Sequence, residues 1–264
     1  MEPLINYISS PIKWDGHIHL FNHKSSIARP NGCSKYVCFM DIEYDDLDNI
    51  NVLESYKRFI DNDYNKYTDL LLATGVTIDD IKELYSKYSK IIRGFGELKC
   101  YDNYKGNKVP YKKIKLVRDV LKFSSQNGNL PVYVHWDLND TNDLTKLSNA
   151  IKDYSSVPFV LCHFGLTDNN SEFAIMAAAQ LQREYGNVWL DMSYTAIDYF
   201  SNNLLKLSNF DYNRIIFGTD YNNKLFTNNH AENERESIIE KISDVINYTQ
   251  IINQNNIKDL FKYC

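Results

Sequence analysis

The chain has 264 residues, 44% hydrophobic and 24% charged, which is enough for a large domain that buries its own core. Its net charge of −5 offers no electrostatic case for a nucleic-acid or membrane partner. Five scattered cysteines without a Cys-x-x-Cys pair argue against a disulfide framework or a thiolate zinc site and suit a reducing compartment.

The N-terminus, Met-Glu-Pro-Leu-Ile-Asn, carries an early acid and no apolar run of signal-peptide length. No window approaches a membrane span, so a cytoplasmic protein is expected. The first strand is expected at about 12–20 and ends in Asp15-Gly-His-Ile-His-Leu-Phe21. In a strand, residues i and i+2 share a face, so His17 and His19 aim at one point. A polar loop with His23, Arg29 and Pro30 leads to a second strand at 35–40. Leu47, Ile50, Leu53, Tyr56 and Ile60 recur at helical spacing and predict a helix over about 46–61. The all-apolar run near 69–75 reads as a third, buried strand. Thr77 with Asp80 resembles a capping box and opens a helix striped by Ile78, Ile81, Leu84, Tyr85 and Tyr88.

The fourth strand, about 91–99, carries Gly94-Phe-Gly-Glu-Leu-Lys99. A polar loop, 101–108, is followed by Pro110 and a helix to about Ser124. Strand five is 131–136, ending His135-Trp136, and Leu144, Leu147, Ile151 and Tyr154 mark the helix after it. Strand six is 158–163, ending in His163. A helix from about 171 to 185 stops before Gly186, expected as a left-handed stop. Strand seven (188–193), a helix at about 196–207, strand eight (214–220, ending in Asp220) and helices near 234–247 and 256–263 complete the chain. Eight strands, most followed by a helix, match an α/β chain folded as one (β/α)₈ TIM-like barrel over residues 1–264. The competing doubly wound sheet would advertise a nucleotide loop, and the chain has no such motif.

Chemistry gathers at the strand ends. Four of the six histidines, with Glu97 and Asp220, fall at C-terminal strand tips, which share one rim in a parallel barrel. Imidazole and carboxylate together suit zinc or a similar divalent ion. Read singly, His135 and His163 are core histidines, Asp220 a helix cap and Glu97 a buried ion-pair partner; five strand ends sharing the theme favour a metal site. Alternation puts Phe159, Leu161 and His163 on one face of strand six and turns Cys162 outward.

In this order the stretches DGHIHLF, GFGELK, VYVHW, VLCHFG and IIFGTD resemble the amidohydrolase superfamily of metal-dependent hydrolases, notably its TatD-like and amidohydrolase-2 branches. The resemblance spans nearly the whole chain and implies one or two divalent ions, zinc first and manganese second. It implies that His17, His19 and Asp220 hold the more buried ion and His135 and His163 the other. Glu97 would bridge them. Many relatives use a carboxylated lysine there, and Lys99, sharing Glu97's face, is the alternative bridge; the Gly-x-Gly-Glu pattern favours Glu97.

The implied reaction is hydrolysis of an ester, lactone, amide or phosphoester bond in a small substrate, with Asp220 as the catalytic proton carrier. A one-metal, non-oxidative decarboxylase of the amidohydrolase-2 type is the alternative, and a TatD-like nuclease or a non-catalytic ligand-binding barrel ranks lower. Arg29, Lys99, Trp136, Tyr194 and Asn222 follow or end strands and are the substrate-binding candidates; Arg29 and Lys99 would suit an anionic group.

Overall fold

A computed structural model describes residues 14–20, 35–40, 57, 60, 70–73, 77–100, 103–104, 107–108, 113–139, 141–166, 172–193, 195–218, 220–222 and 255–261. The strands are β1 (Trp14–Leu20), β2 (Lys35–Met40), β3 (Leu70–Ala73), β4 (Ile92–Cys100), β5 (Val132–Trp136), β6 (Phe159–Leu161), β7 (Val188–Met192), β8 (Ile215–Phe217) and β9 (Tyr221–Asn222). The helices are α1 (Ile78–Tyr88), α2 (Lys113–Gln126), α3 (Thr141–Asp153), α4 (Glu172–Glu184), α5 (Thr195–Ser201) and α6 (Asn255–Leu260). The expected helices at 46–61 and 234–247 lie outside the described residues, save that 57 and 60 are helical.

All nine strand segments form one parallel sheet in the order β8-β7-β6-β5-β4-β3-β2-β1-β9. Segment β8 lies within the expected eighth strand, and β9 follows directly past that strand's expected end at Asp220. β8 pairs with β7 (Ile216 opposite Asp191), while β9 pairs with β1 (His19 opposite Asn222). These two segments therefore join both ends of the sheet, and the ring closes as a (β/α)₈ barrel.

Alternation along the strands sorts the apolar residues into two layers. Phe95, Leu98, Val132, Val134, Phe159, Leu161, Leu190 and Met192 face the helices, against Val117, Leu121, Leu147, Ile151, Ala178 and Leu181. Val37, Phe39, Leu72, Tyr133, Val160, Cys162 and Ile216 fill the interior, with Ile257, Leu260 and Phe261 from α6 and the residue after it. Helix α1 opens on the expected capping box: Asp80 N–H donates to Thr77 Oγ1 (3.3 Å) and Thr77 N–H to Asp80 Oδ2 (2.8 Å).

The structure corrects several expectations. Residues 103–104 and 107–108 of the expected loop pair as a small antiparallel hairpin. The helix expected over 196–207 breaks after Ser201. Asn202 and Asn203 side chains donate to the carbonyls of Asp198 and Tyr199, acceptors that a continuing helix would use, and a 3₁₀ segment, Leu204–Asn209, follows. Gly186 is not among the positive-φ residues, so α4 does not stop on a left-handed glycine. Among the described residues no helix is long and apolar enough to cross a membrane, and the described cysteines, Cys38, Cys100 and Cys162, form no disulfide.

Candidate metal centre

β1 carries His17 and His19 into the barrel mouth, both buried. His17 Nε2 lies 3.0 Å from His19 Nε2. Asp220 Oδ1 lies 3.0 Å from His19 Nε2 and 3.4 Å from His17 Nε2. Tetrahedral zinc with bonds of about 2.0–2.1 Å separates its donors by about 3.3 Å. Two imidazole nitrogens and a carboxylate oxygen thus form a triangle of the size that such an ion requires. Asp220 reaches it because the eighth strand breaks: the residue adopts φ 55°, and its N–H donates to His17 O (2.9 Å). Left-handed backbone at a non-glycine residue costs free energy and clusters at functional sites.

Glu97 stands between this triangle and two further histidines. Its Oε2 is 3.5 Å from His19 Nε2; its Oε1 is 3.0 Å from His135 Nδ1 and 3.4 Å from His163 Nε2. A bulge in β4 aims it. Phe95 pairs with Val132, yet Leu98 pairs with Val134, so β4 spends one extra residue between them. Gly96 occupies the bulge at φ 115°, where an added Cβ would lie 2.3 Å from Tyr133 O. The 97–99 register matches the sequence expectation: Leu98 and Cys100 face the helices, and Glu97 points inward.

His163 arrives by a route that alternation did not anticipate. β6 ends at Leu161, which faces the helices with Phe159, and the chain turns through Cys162–Gly165 with His163 at φ 53°. That turn, rather than strand pleating, directs Nε2 at Glu97. By the same token Cys162 faces the interior with Val160, not outward as alternation predicted. Burial pushes its thiol well above the usual range, as do the nearby carboxylates.

Behind these groups lie two residues that the sequence reading missed. His17 Nδ1–H donates to Asp191 Oδ2 (2.5 Å), Ser193 Oγ–H donates to the same oxygen (2.8 Å), and His163 Nδ1–H donates to Ser193 Oγ (2.7 Å). Asp191 and Ser193 are completely buried. The available signal was a carboxylate inside the otherwise apolar strand Val188-Trp-Leu-Asp-Met192, since a buried acid needs a partner.

The electrostatics follow from this packing. Burial pushes the His17 pKa down, but Asp191, and then Asp220 and Glu97, outweigh it and raise it to about 10. Burial raises the Asp220 and Glu97 carboxyls, yet the surrounding imidazoles hold both well below the usual range. Burial lowers the pKa of His135, with the Lys99 charge among the further causes; His163 is raised because Glu97 and Asp220 outweigh its burial. Donor chemistry and spacing therefore fit a divalent cation. Three groups of described residues have ligand atoms close enough to share one: His17–His19–Asp220, His17–Glu97–His163 and His17–Cys162–Asp191.

The remaining candidates fare differently. Lys99 is half-buried and paired in register with His135. Trp136 is 1% exposed and packs among the helix-facing residues, on the opposite face from His135, which removes it from the barrel mouth. Asn222 lies in β9, and only its backbone is described; Arg29, His23, Tyr194 and His230 lie outside the described residues.

Residues 126–242 match the sequence model of the amidohydrolase family. Solved structures share the fold over nearly the full chain. An amidohydrolase from Burkholderia multivorans with bound zinc is 11% identical, with 94% of this chain and 95% of that one covered and a TM-score of 0.58. An Acinetobacter baumannii protein described as a 2-pyrone-4,6-dicarboxylic acid hydrolase, with citric acid bound, is 15% identical, with 95% and 99% covered and a TM-score of 0.58. A TatD-family hydrolase from Entamoeba histolytica is 12% identical, with 95% and 97% covered and a TM-score of 0.56. No curated protein sequence matches the chain.

Proposed function

We propose that the chain is a metal-dependent hydrolase of the amidohydrolase superfamily, whose family model matches residues 126–242, and that it uses two divalent ions, zinc foremost, to hydrolyse an ester, lactone, amide or phosphoester bond in a small, anionic substrate. His17, His19 and Asp220 would hold one ion, His135 and His163 the other, with Glu97 between them. When bound, such ions acidify water to a pKa of about 7 and polarise the scissile oxygen.

The observation that carries the reading is Glu97, whose two oxygens point to different histidine groups: Oε2 to His19, Oε1 to His135 and His163. A structural ion pair needs one partner, and three imidazoles around one buried carboxylate exceed that need. Glu97 rather than Lys99 is the bridge on this reading, because its carboxylate already spans both groups.

The other side chains divide the remaining work. Asp220 is the most exposed acid of the cluster, with its side chain 17% accessible, so it can meet both water and substrate. It takes the proton of the attacking water and returns it to the leaving group. Its depressed pKa keeps it ionised and ready to accept. Asp191, fully buried, has no route to substrate and orients His17 instead. Lys99, beside His135, supplies a positive charge for an anionic substrate group; the citrate bound by the Acinetobacter protein agrees with a fold that admits small polyanions.

The test is a screen of esters, lactones, amides and phosphoesters against zinc- and manganese-loaded protein, with Asp220→Asn alongside. Turnover that needs added metal and collapses in the variant is expected. Equal turnover by both proteins would overturn the proposal.

A further inference from the structure

The hydrogen bonds beneath the site have a direction, and the direction is fixed by chemistry. Asp191 Oδ2 belongs to a carboxylate and only accepts. Ser193 has a single hydroxyl proton, and it is committed to that oxygen at 2.8 Å. At its contacts with ring nitrogens, His163 Nδ1 at 2.7 Å and His17 Nδ1 at 3.5 Å, Ser193 Oγ must therefore accept. The Ser193 carbonyl, 3.3 Å from the same nitrogen, also only accepts. His163 Nδ1 must carry a proton, which in the neutral ring leaves the lone pair on Nε2, the atom facing Glu97. His17 Nδ1 donates to the same Asp191 oxygen, leaving its Nε2 to face His19 and Asp220. Asp191 Oδ1 has no hydrogen-bond partner, so the carboxylate's hydrogen bonds converge on the one oxygen.

We infer that Asp191 and Ser193 are positioning residues that set the ring tautomers of both His17 and His163 from one buried carboxylate oxygen, with Ser193 as the directional link between the two halves of the site. His17 and His163, their ring centroids 5.1 Å apart, lie 174 and 30 residues from their respective partners. Strand β7 and the residue beyond it thus tie together two ligand groups that the chain supplies from β1 and from the turn after β6. Neither Asp191 nor Ser193 touches substrate in this scheme. Its consequence for metal uptake rests on the proposed function, but the tautomer assignment does not.

The experiment is proton–nitrogen NMR of the imidazoles in metal-free protein, followed by zinc titration, for wild type and Ser193→Ala. In wild type a His163 Nδ1–H resonance protected from solvent is expected. Ser193→Ala removes the 2.7 Å contact and leaves the longer one to the carbonyl, so exchange of that proton should quicken by about tenfold or more. Zinc affinity at the weaker of two equivalents should fall about 10–100-fold, and the tighter equivalent should hold, because His17 keeps Asp191. A His163 protonated on Nε2 alone in wild type, or exchange unchanged in the variant, overturns the inference whatever the zinc result. If the proton behaves as expected while wild type takes up no zinc, the metal reading fails and the tautomer relay stands.

Discussion

Gly218→Ala probes the contact between the eighth strand and the first. An added Cβ would lie 2.4 Å from His17 Cβ and 2.8 Å from His17 N. Apolar carbons rest at about 3.5–4.0 Å, so relief requires a shift of roughly 1 Å. His17 has little freedom to yield, because its carbonyl accepts from Asp220 N–H and its ring donates to Asp191. Overpacking of this kind costs about 1–3 kcal/mol, which corresponds to a melting temperature lower by roughly 2–12 °C in a chain of this size. The site should suffer more than the fold, since ligand atoms tolerate only about 0.2 Å of misplacement. A loss of zinc affinity of about tenfold or more is expected. Gly186→Ala is the control: nothing lies within 4 Å of its added Cβ, so stability should stay level or rise slightly. Thermal melts and zinc titrations of the three proteins decide the matter. A Gly218→Ala protein equal to wild type in both would refute the packing argument.

Three further outcomes follow from the same geometry. Asp220→Asn should keep its fold and lower kcat by about 100-fold or more, read by steady-state kinetics on whichever substrate the screen yields. Glu97→Gln removes the proposed anionic bridge and should reduce bound metal from about two equivalents to one, measured by elemental analysis. The third concerns pH. In metal-free protein the His17 pKa is raised to about 10, above the ordinary 6.5. That pairing stabilises the fold fully below about pH 6.5 and is lost as pH rises through 10, so the metal-free melting temperature should fall over that interval. An ion must displace the same proton, so zinc affinity should strengthen up to about tenfold per pH unit across that window. Calorimetry in buffers of different ionisation enthalpy would count the released proton, and zinc uptake at pH 7 without proton release would contradict the assignment.

The barrel was legible because parallel strands buried on both faces leave near-continuous apolar runs, and eight of them recur in Ile12–Leu20 through Arg214–Asp220. The clustering of the candidate ligands was legible because strand tips converge in this fold, so that His17, His19, Glu97, His135, His163 and Asp220 could be grouped without coordinates. What period-two reasoning could not supply was the backbone past a strand's last paired residue. His163 and Asp220 both sit at positive φ, where the pleat no longer dictates direction, and Cys162 was assigned to the wrong face for that reason. Trp136 shows the converse: it lies within β5, where alternation holds and sends it to the helices, but its position next to His135 suggested a role at the mouth. Asp191 and Ser193 were missed because their function is to hold other side chains. Such a role depends on contacts 30 and 174 residues apart in sequence.

Whether this cluster holds metal is read directly by elemental analysis of protein purified without chelator, wild type beside His17→Ala. About two equivalents of zinc or manganese are expected in wild type and a clear reduction in the variant. Wild-type protein that carries no metal and gains none when zinc or manganese is added would contradict the metal reading.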